Sequence, residues 1–336
     1  MRSYRKPAAA GLGCLVALAG AACSGQGDAA PAVTAGPSTS SPAGTGTSYA
    51  PYTSATEAAG TDSAGSPTTY NLAFVIADGD DCTPRWNGTH AIGDSTVTSR
   101  IARLKKDGGE VRVSFGGASG KELAANCGSA SELAAAYGKA LDAAGTTLAD
   151  FDIEGDELSD SASVALRSKA IARLQQERSG LEVSFTLPVM PAGLDEDGLA
   201  LLGSANDNGV QVSTVNLMTM NYGSSYDGDM GGYALTAAKA AHTQLKKVFG
   251  TSDATAWQGM ALTSMIGVND VDNETFTLAD AAEVRAFAEE KGIAWVSMWS
   301  TARDRQCADG STSQKAATDC SGVTQGPGAF GNTFAG

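Results

Sequence analysis

The sequence predicts an α/β protein of the (β/α)8 TIM-barrel class, a single domain without a large insertion after strand seven. Eight predicted strands alternate with helices between residues 48 and 336, a length that suits one large α/β domain or two small ones. The strands are almost continuously apolar, as parallel strands covered on both faces should be. A doubly wound open sheet would need a phosphate-binding glycine loop or a visible change of strand order, and neither is apparent.

The predicted strands are short apolar runs and the predicted helices are amphipathic. The strands comprise residues 49–54, 70–77, 110–117, 148–155, 181–189, 212–223, 257–268 and 293–300. The helices comprise residues 99–106, 131–144, 161–178, 194–207, 232–249 and 278–292. Ser131 is the predicted N-cap of the second helix, and Gly292 closes the last one.

The first residues resemble a secretory signal rather than part of the fold. Three basic residues within the first six precede an apolar segment, residues 8–22, that is too short to span a bilayer comfortably. The segment ends in LAGAAC, which resembles a bacterial lipobox with Cys23 as the lipidated first mature residue. We therefore predict a signal peptide over residues 1–22, with cleavage near Ala22 and free secretion as the alternative to lipidation.

Residues 23–47 consist mainly of Gly, Ser, Thr, Ala and Pro and are predicted to be a flexible linker. Such a segment cannot bury enough apolar surface to offset the entropy that it would lose on ordering. The barrel is predicted to follow over residues 48–336. The protein is expected outside the cytoplasm, as a lipoprotein of the cell membrane or as a secreted protein.

Charge and histidine content exclude several classes of function. The formal net charge is −14 and the pI is about 4.5, which disfavours nucleic acid and anionic lipid because both attract clustered Lys and Arg. A neutral substrate is compatible with this charge. His90 and His242 lie in no motif, so both are predicted to be surface or loop residues. A Ser-His-Asp triad, a metal or an organic cofactor is not expected.

Four cysteines remain after the predicted signal and Cys23, namely Cys82, Cys127, Cys307 and Cys320. Export allows disulfides to form, and four cysteines allow three connectivities. The pairs Cys82–Cys127 and Cys307–Cys320 are favoured because their members are nearest in sequence. A zinc site is the weaker alternative, since the chain has no Cys-x-x-Cys spacing.

Three acids alternate with apolar residues in the predicted fourth strand, LADFDIEG. Side chains alternate between the faces of a strand, so Asp150, Asp152 and Glu154 share one face and Phe151 and Ile153 the other. In a barrel the acids would point inward, with Glu154 nearest the C-terminal mouth. Such close carboxyls cannot all ionise at neutral pH, and the retained proton is what a glycosidase acid needs. A salt-bridged or calcium-binding cluster is the alternative, although calcium prefers loop oxygens.

Four short motifs resemble the signatures of glycoside hydrolase family 18, the chitinase-like family. The fourth-strand pattern Asp-x-x-Asp-x-Asp-x-Glu is present from Asp150 to Glu154, with Thr147 in place of its first Asp. SFGG at residues 114–117 matches Ser-x-Gly-Gly of strand three, and MTMN at residues 218–221 corresponds to Met-x-Tyr-Asp of strand six. A Trp ends strand eight, as in the family. The motifs occur in the family order, and the nearest match resembles secreted actinobacterial chitinases.

The resemblance implies a retaining, substrate-assisted glycosidase that cleaves β-1,4-N-acetylglucosamine linkages of chitin. Glu154 would protonate the glycosidic oxygen, and the N-acetyl carbonyl of the substrate would attack the anomeric carbon to give an oxazolinium ion. Asp152 would hold the acetamido N–H, and Asp150 would share its proton with Asp152. Trp299 would form the apolar floor under the reacting sugar.

The sixth strand departs from the family pattern. Met220 stands where the family usually has Tyr, and Asn221 stands where it often has Asp. Tyr222 is two residues beyond Met220 on the same predicted strand face, and we hypothesise that its phenol bonds the acetamido oxygen. Asn221, Met220 and Met218 are expected to line the substrate site.

Other residues are candidates by position. Trp86, in the loop after the second strand, is expected either to stack on a sugar or to cover the nearby disulfide. Ser114 and Gly117 are placed among the substrate-binding candidates, although a structural role in close backbone approach is favoured for both. Met265–Asp270 and Arg303–Asp304 are expected near the site and receive no role.

The short loop after strand seven predicts a shallow, open cleft and internal cleavage of the polymer. The expected partners are chitin or N-acetylglucosamine oligosaccharides, and the protein is expected to be a monomer that reaches the membrane only through its lipid. Two alternatives stay open in the same fold: an endo-β-N-acetylglucosaminidase acting on glycoprotein glycans, and a non-catalytic chitin-binding lectin. A solute-binding lipoprotein would need two lobes and a hinge, which one series of eight βα units does not predict.

Overall fold

The computed structural model describes residues 46–106, 108–308 and 315–336. These residues belong to one unit, Gly44–Gly336. The predicted signal peptide, Cys23 and nearly all of the predicted linker lie outside the described residues, so export, lipidation and the linker stay predictions.

Parallel strands form most of the sheet, and all eight predicted strands are present. The strands are β1 (Ser48–Tyr49), β2 (Tyr52–Ser54), β3 (Thr69–Asp78), β4 (Asp81–Trp86), β5 (His90–Ala91), β6 (Glu110–Gly116), β7 (Leu148–Asp152), β8 (Glu182–Pro188), β9 (Val212–Met218), β10 (Met260–Met265), β11 (Gly267–Val268), β12 (Thr275–Phe276) and β13 (Trp295–Trp299). The spatial order β1-β13-β10-β9-β8-β7-β6-β3 is parallel throughout. Two antiparallel additions were not predicted: β4 and β5 extend the sheet from β3, and β11 pairs with β12.

Residues 48–54 contact both ends of the parallel series. β1 pairs with β13, whereas β2, after a two-residue interruption, pairs in parallel with β3. Backbone hydrogen bonds continue across the two residues between β1 and β2. The Ala50 N–H donates to Val296 O, and the Asn71 N–H donates to Pro51 O. A barrel requires this connection between its first and last strands. The predicted α/β class is confirmed, and the strand order is of the TIM-barrel type.

Two rows of residues cross β6, β7 and β8 side by side. One row is polar: Ser114, Asp150 and Ser184. The next row, one residue further along each strand, is aromatic: Phe115, Phe151 and Phe185. The aromatic rings are buried and pack in sequence, with centroids 5.3 and 5.7 Å apart, and Tyr137 of the following helix packs on Phe115 and Phe151. The alternation of a strand thus sends the apolar row towards the helices and the polar row into the interior.

The described residues contain nine α-helices. They are α1 (Ser95–Lys106), α2 (Ala130–Ala144), α3 (Asp156–Ser159), α4 (Ser161–Glu177), α5 (Glu196–Asp207), α6 (Met230–Phe249), α7 (Asp253–Gln258), α8 (Leu278–Lys291) and α9 (Ala329–Ala335). The six predicted helices correspond to α1, α2, α4, α5, α6 and α8. The predicted N-cap Ser131 is wrong, because Ser129 accepts the Glu132 N–H at 3.2 Å and caps α2 instead. None of the helices described has both the length and the apolar character needed to cross a membrane.

Both predicted disulfides are confirmed: Cys82 bonds Cys127, and Cys307 bonds Cys320. The prediction for His242 is wrong. It is buried on α6, where its ring stacks on Trp257 at 3.9 Å, because the helix packs this face against the core.

Candidate active site

A cavity of about 480 Å³ opens where the parallel strands end. Its walls come from β2, β3, β7, β8, β9, β10 and β13 and from the loops that follow them. The following lining residues matter most to its chemistry: Tyr52, Phe74, Asp152, Glu154, Met220 and Trp299. In (β/α)8 enzymes, catalytic residues are found at this end of the parallel strands.

A second cavity, of about 370 Å³, adjoins the first. Phe74, Asn87 and Trp299 line both cavities. A ligand bound beside Trp299 can therefore extend from one cavity into the other, as an oligomeric ligand would need.

Asp150 is buried and accepts hydrogen bonds from four hydroxyl groups. Its Oδ2 accepts from Tyr52 at 2.9 Å and from Ser114 at 2.7 Å. Its Oδ1 accepts from Ser184 at 2.6 Å and from Thr186 at 2.8 Å. Four hydroxyl groups match the acceptor capacity of a carboxyl group, so this shell fixes the position of Asp150.

The sharing of a proton between Asp150 and Asp152 stays a prediction. The four hydroxyl groups contact both oxygens of Asp150, and the charge of Asp150 raises the pKa of Asp152.

The carboxyl groups of Asp152 and Glu154 lie close enough to affect each other's pKa. Asp152 ends β7 and is 4% exposed, whereas Glu154 lies two residues further on, at the cavity wall. Burial raises the pKa of Asp152 well above its usual value, and the charges of Glu154 and Asp150 raise it further. Burial also raises the pKa of Glu154. The pair therefore keeps a proton to a higher pH than isolated carboxyl groups would.

One acceptor of this pair is free. Asp152 Oδ1 is buried and has no hydrogen-bond partner in the part of the chain that the structure describes. Because an unpaired buried acceptor is unfavourable, the atom is well placed to accept an N–H from a ligand in the cavity.

An aromatic floor lies beside the acids. Trp299 is half-buried at the end of β13 and stacks on Phe74, with centroids 5.6 Å apart and planes at 20°. Tyr52 packs edge-on against Trp299 at 5.8 Å. The floor thus presents an apolar surface next to the carboxyl pair, which is the combination that ligand pockets commonly use.

Met218, Met220 and Asn221 line the cavity where the sixth-strand motif placed them. Asn221 adopts a left-handed backbone with φ 55°. Its side-chain oxygen accepts the Asp270 and Val271 N–H groups at 3.1 and 3.3 Å. Contact of these residues with substrate stays a prediction.

The structure contradicts the hypothesis for Tyr222, which does not line the cavity. Its phenol is buried against Tyr226 and Tyr233, and burial raises its pKa. The hypothesis assumed strand alternation beyond Met220, but β9 ends at Met218 and the backbone then turns left-handed at Asn221. The phenol beside the carboxyl groups is that of Tyr52.

The sugar-stacking expectation for Trp86 is also wrong. Trp86 is fully buried on β4 rather than in a loop, and its Nε1 donates to Ile92 O at 3.3 Å. A ring with no exposed face cannot stack on a sugar. Trp86 belongs to the hydrophobic core, against which Cys82 also packs.

Ser114 and Gly117 serve the structure rather than the substrate surface. Ser114 is buried and donates to Asp150. Gly117 has φ 90°, and a Cβ there would lie 2.7 Å from the Phe74 ring. Its neighbour Gly116 passes so close to Asp152 O that no side chain fits.

Arg303 and Asp304, which received no predicted role, have different positions. Arg303 lines the cavity and donates to the backbone oxygens of Ile266, Val268 and Ala317. Burial lowers its pKa to about 10. Asp304 instead accepts backbone N–H groups at the start of α9.

Sequence reasoning missed Tyr52, Phe74 and Thr186. Tyr52 and Phe74 lie on predicted strands. No local sequence pattern distinguishes a side chain that lines the cavity from the other side chains of a strand. A row of hydroxyl residues at alternate positions of strand five, Ser184 and Thr186, was the one available signal.

One group of acids among the described residues has metal-ligand spacing, namely Asp229, Asp280 and Glu283. Asp229 and Asp280 already accept backbone N–H groups at the starts of α6 and α8. None of the three lines the cavity.

Comparisons with known proteins agree with this geometry. No protein-family model matches the chain. Over 249 residues it is 35% identical to the probable bifunctional chitinase/lysozyme of Escherichia coli strain K12. The aligned region covers 70% of this chain and 28% of the relative. Over 248 residues it is 33% identical to endochitinase 11 of Metarhizium anisopliae, covering 70% and 47%. The homologues of this chain are chitinases.

The structural comparison also finds a chitinase. The catalytic domain of the hyperthermophilic chitinase from Pyrococcus furiosus has a TM-score of 0.75 and 29% identity, and the match covers 85% of this chain and 93% of that one. The chain spans less than half the length of either curated relative. It therefore corresponds in size and fold to a chitinase catalytic domain.

Proposed function

We propose that this chain is a retaining chitinase of glycoside hydrolase family 18, built on a closed (β/α)8 barrel. It would hydrolyse β-1,4-N-acetylglucosamine linkages by substrate-assisted catalysis. The observation that carries the proposal is the Asp152–Glu154 pair of carboxyl groups, which lines the cavity beside the Trp299 floor. Its similarity to chitinases supports the substrate class.

In the first step Glu154 donates its proton to the glycosidic oxygen as the bond from that oxygen to the anomeric carbon breaks. The carbonyl oxygen of the acetamido group attacks the same carbon and forms an oxazolinium ion. A water then gives a proton to the Glu154 carboxylate and attacks the anomeric carbon, which restores the acetamido group. Two inversions leave the product with the β configuration.

Asp152 and Asp150 support the positive charge that develops on the ring. Asp152 Oδ1 has no partner among the residues described, so it can accept the acetamido N–H and orient the carbonyl. Asp150, fixed by four hydroxyls, adds a negative charge from behind. Fixed charges in a buried site stabilise a developing charge without reorganisation.

The stereochemistry of the product tests this mechanism. We expect early hydrolysis of an N-acetylglucosamine oligomer to release the β-anomer in excess, as followed by proton NMR before mutarotation. Early α-anomer would contradict the substrate-assisted route. Absence of hydrolysis, with release of N-glycans from a high-mannose glycoprotein instead, would favour an endo-β-N-acetylglucosaminidase.

We also propose endo-acting cleavage. Two adjoining open cavities and the short β11–β12 hairpin after β10 support binding in the middle of a polymer. A hexamer should then yield several product lengths from the first time points. Release of dimers alone would contradict internal cleavage.

Export and lipidation at Cys23 remain part of the proposal on the sequence alone. A Cys23→Ala variant should move the protein from the membrane fraction to the medium. An unchanged distribution would contradict lipidation at this residue.

A further inference from the structure

The loop after β9 and the hairpin after β10 hold each other through two side chains that reach in opposite directions. From the β9 loop, Asn221 accepts two N–H groups of the hairpin, those of Asp270 and Val271. From the hairpin, Glu274 accepts the Gly223 N–H of the β9 loop at 2.8 Å. We call this pair of contacts the loop clasp.

Glu274 lies against the curved backbone of residues 221–223. Its Oε1 accepts the Gly223 N–H, whereas its Oε2 is buried and has no hydrogen-bond partner among the described residues. Positive φ values at Asn221 (55°) and Gly223 (113°) give this stretch its curvature. Glu274 is only 1% exposed, so this contact is shielded from solvent.

The rest of the hairpin is fixed at its base. The Asn269 amide donates to Met265 O and Gly267 O at 2.9 and 3.0 Å. Arg303 donates to Ile266 O and Val268 O. These hydrogen bonds fix the base of the hairpin but do not reach the β9 loop. The contacts of Glu274 and Asn221 therefore set the position of the hairpin tip against that loop.

The loop clasp borders the cavity but does not line it through Glu274. Asn221 and Asp270, which the clasp connects, line the cavity, and so does Met220, the residue before Asn221. The carboxyl of Glu274 is thus one residue layer behind the wall that would contact substrate.

We propose that Glu274 is a positioning residue for the proposed reaction. Its carboxylate holds the β9 loop and the β10 hairpin in one register, and so fixes the wall formed by Met220, Asn221 and Asp270. The inference rests on the proposed function for its kinetic consequence, but the clasp itself is independent of that function.

Two substitutions separate positioning from general stability. Glu274→Ala removes every acceptor. Glu274→Gln keeps the side-chain length and the oxygen that accepts Gly223 N–H, so it should rescue the wall. Glu289→Ala, on the exposed face of α8, serves as the matched control.

We expect Glu274→Ala to raise KM for an N-acetylglucosamine oligomer by about tenfold or more, because small displacements of a binding wall are kinetically large. Glu274→Gln should stay within about threefold of the wild type, and Glu289→Ala should match it. Amide hydrogen exchange of residues 219–224 and 266–277 should accelerate together in the Ala variant and remain slow in the Gln variant.

Three results would overturn the proposal: a folded Ala variant with unchanged KM, a folded Ala variant with unchanged exchange in both loops, or a Gln variant as impaired as the Ala variant. If the Ala variant does not fold, Glu274→Asp replaces it, since its shorter side chain should not reach the Gly223 N–H. If the wild type does not hydrolyse the oligomer, the proposed function fails, and the exchange comparison still decides the clasp.

Discussion

The hydroxyl of Tyr52 donates to Asp150 Oδ2 at 2.9 Å and joins β2 to β7 across the interior of the sheet. The same hydroxyl lies 2.9 Å from Thr186 Oγ1 on β8. Tyr52 thus links β2, β7 and β8 at the buried Asp150 carboxyl. This places a phenol, contributed by β2, beside the acid cluster.

Removal of this hydroxyl should slow the reaction. In Tyr52→Phe the Asp150 carboxylate loses one of four donors, and a lost hydrogen bond to a charged group corresponds to about 1.5–3 kcal/mol. We expect kcat to fall by about tenfold or more, measured on an N-acetylglucosamine oligomer. An unchanged kcat would contradict the role of Tyr52.

Tyr49 provides the matched control. It is a buried tyrosine on β1 whose hydroxyl has no hydrogen-bond partner within the described ranges. Tyr49→Phe should therefore leave kcat and KM unchanged. An equal loss of kcat in both variants would contradict a specific role of the Tyr52 hydroxyl.

The raised pKa of Asp152 predicts a pH-dependent stability. An acid whose pKa is raised by folding binds its proton more tightly in the folded state than in the unfolded state. The free energy of unfolding therefore decreases as the pH rises above 3.8, the ordinary pKa of Asp. Asp152→Asn removes this penalty. The Tm of Asp152→Asn minus the Tm of the wild type should increase as the pH rises above about 4, and it should be constant below that pH. A Tm difference independent of pH would contradict the raised pKa.

The two tryptophans near the site should behave differently. Trp299 lines both cavities, whereas Trp86 is fully buried. We expect Trp299→Ala to raise KM for the oligomer by about tenfold or more, because its ring is an anchor of the pocket. Trp86→Phe should reduce the Tm without changing KM. A raised KM in Trp86→Phe with an unchanged Trp299→Ala would reverse the assignment.

The two disulfides should also separate stability from binding. The Cys307–Cys320 bond closes the loop that supplies Ala316, Ala317 and Thr318 to the cavity wall. Removing it should cost about 3 kcal/mol of stability and also raise KM. Removing Cys82–Cys127, whose cysteines do not line the cavity, should lower the Tm alone. Unchanged KM in the first variant would contradict a role for this loop.

Local periodicity predicted the parts of the fold that depend on local pattern. The apolar runs identified all eight parallel strands. Alternation along β7 placed Asp150 and Asp152 on the interior face. Because the apolar residues of the strand must pack against the helices, the alternate residues face inward. Nearness in sequence was enough to pair the cysteines.

The errors occur where distant segments or backbone turns decide the outcome. Tyr222 was assigned by strand alternation, which Asn221 interrupts with a positive φ. Trp86 was assigned to a loop, but the β4–β5 pairing buries it. The hydroxyls around Asp150 come from β2, β6 and β8, so no single segment of sequence contains their pattern.

The proton that the Asp152–Glu154 pair retains is the central claim, and Glu154→Gln tests it most directly. Gln keeps the shape of the side chain but cannot donate a carboxylic proton. The matched control is Glu157→Gln, since Glu157 lies three residues away on α3 and does not line the cavity. Both variants and the wild type would be compared by kcat on an N-acetylglucosamine oligomer. We predict that Glu154→Gln lowers kcat by about 100-fold or more and that Glu157→Gln matches the wild type. Equal kcat in Glu154→Gln and the wild type would contradict the account.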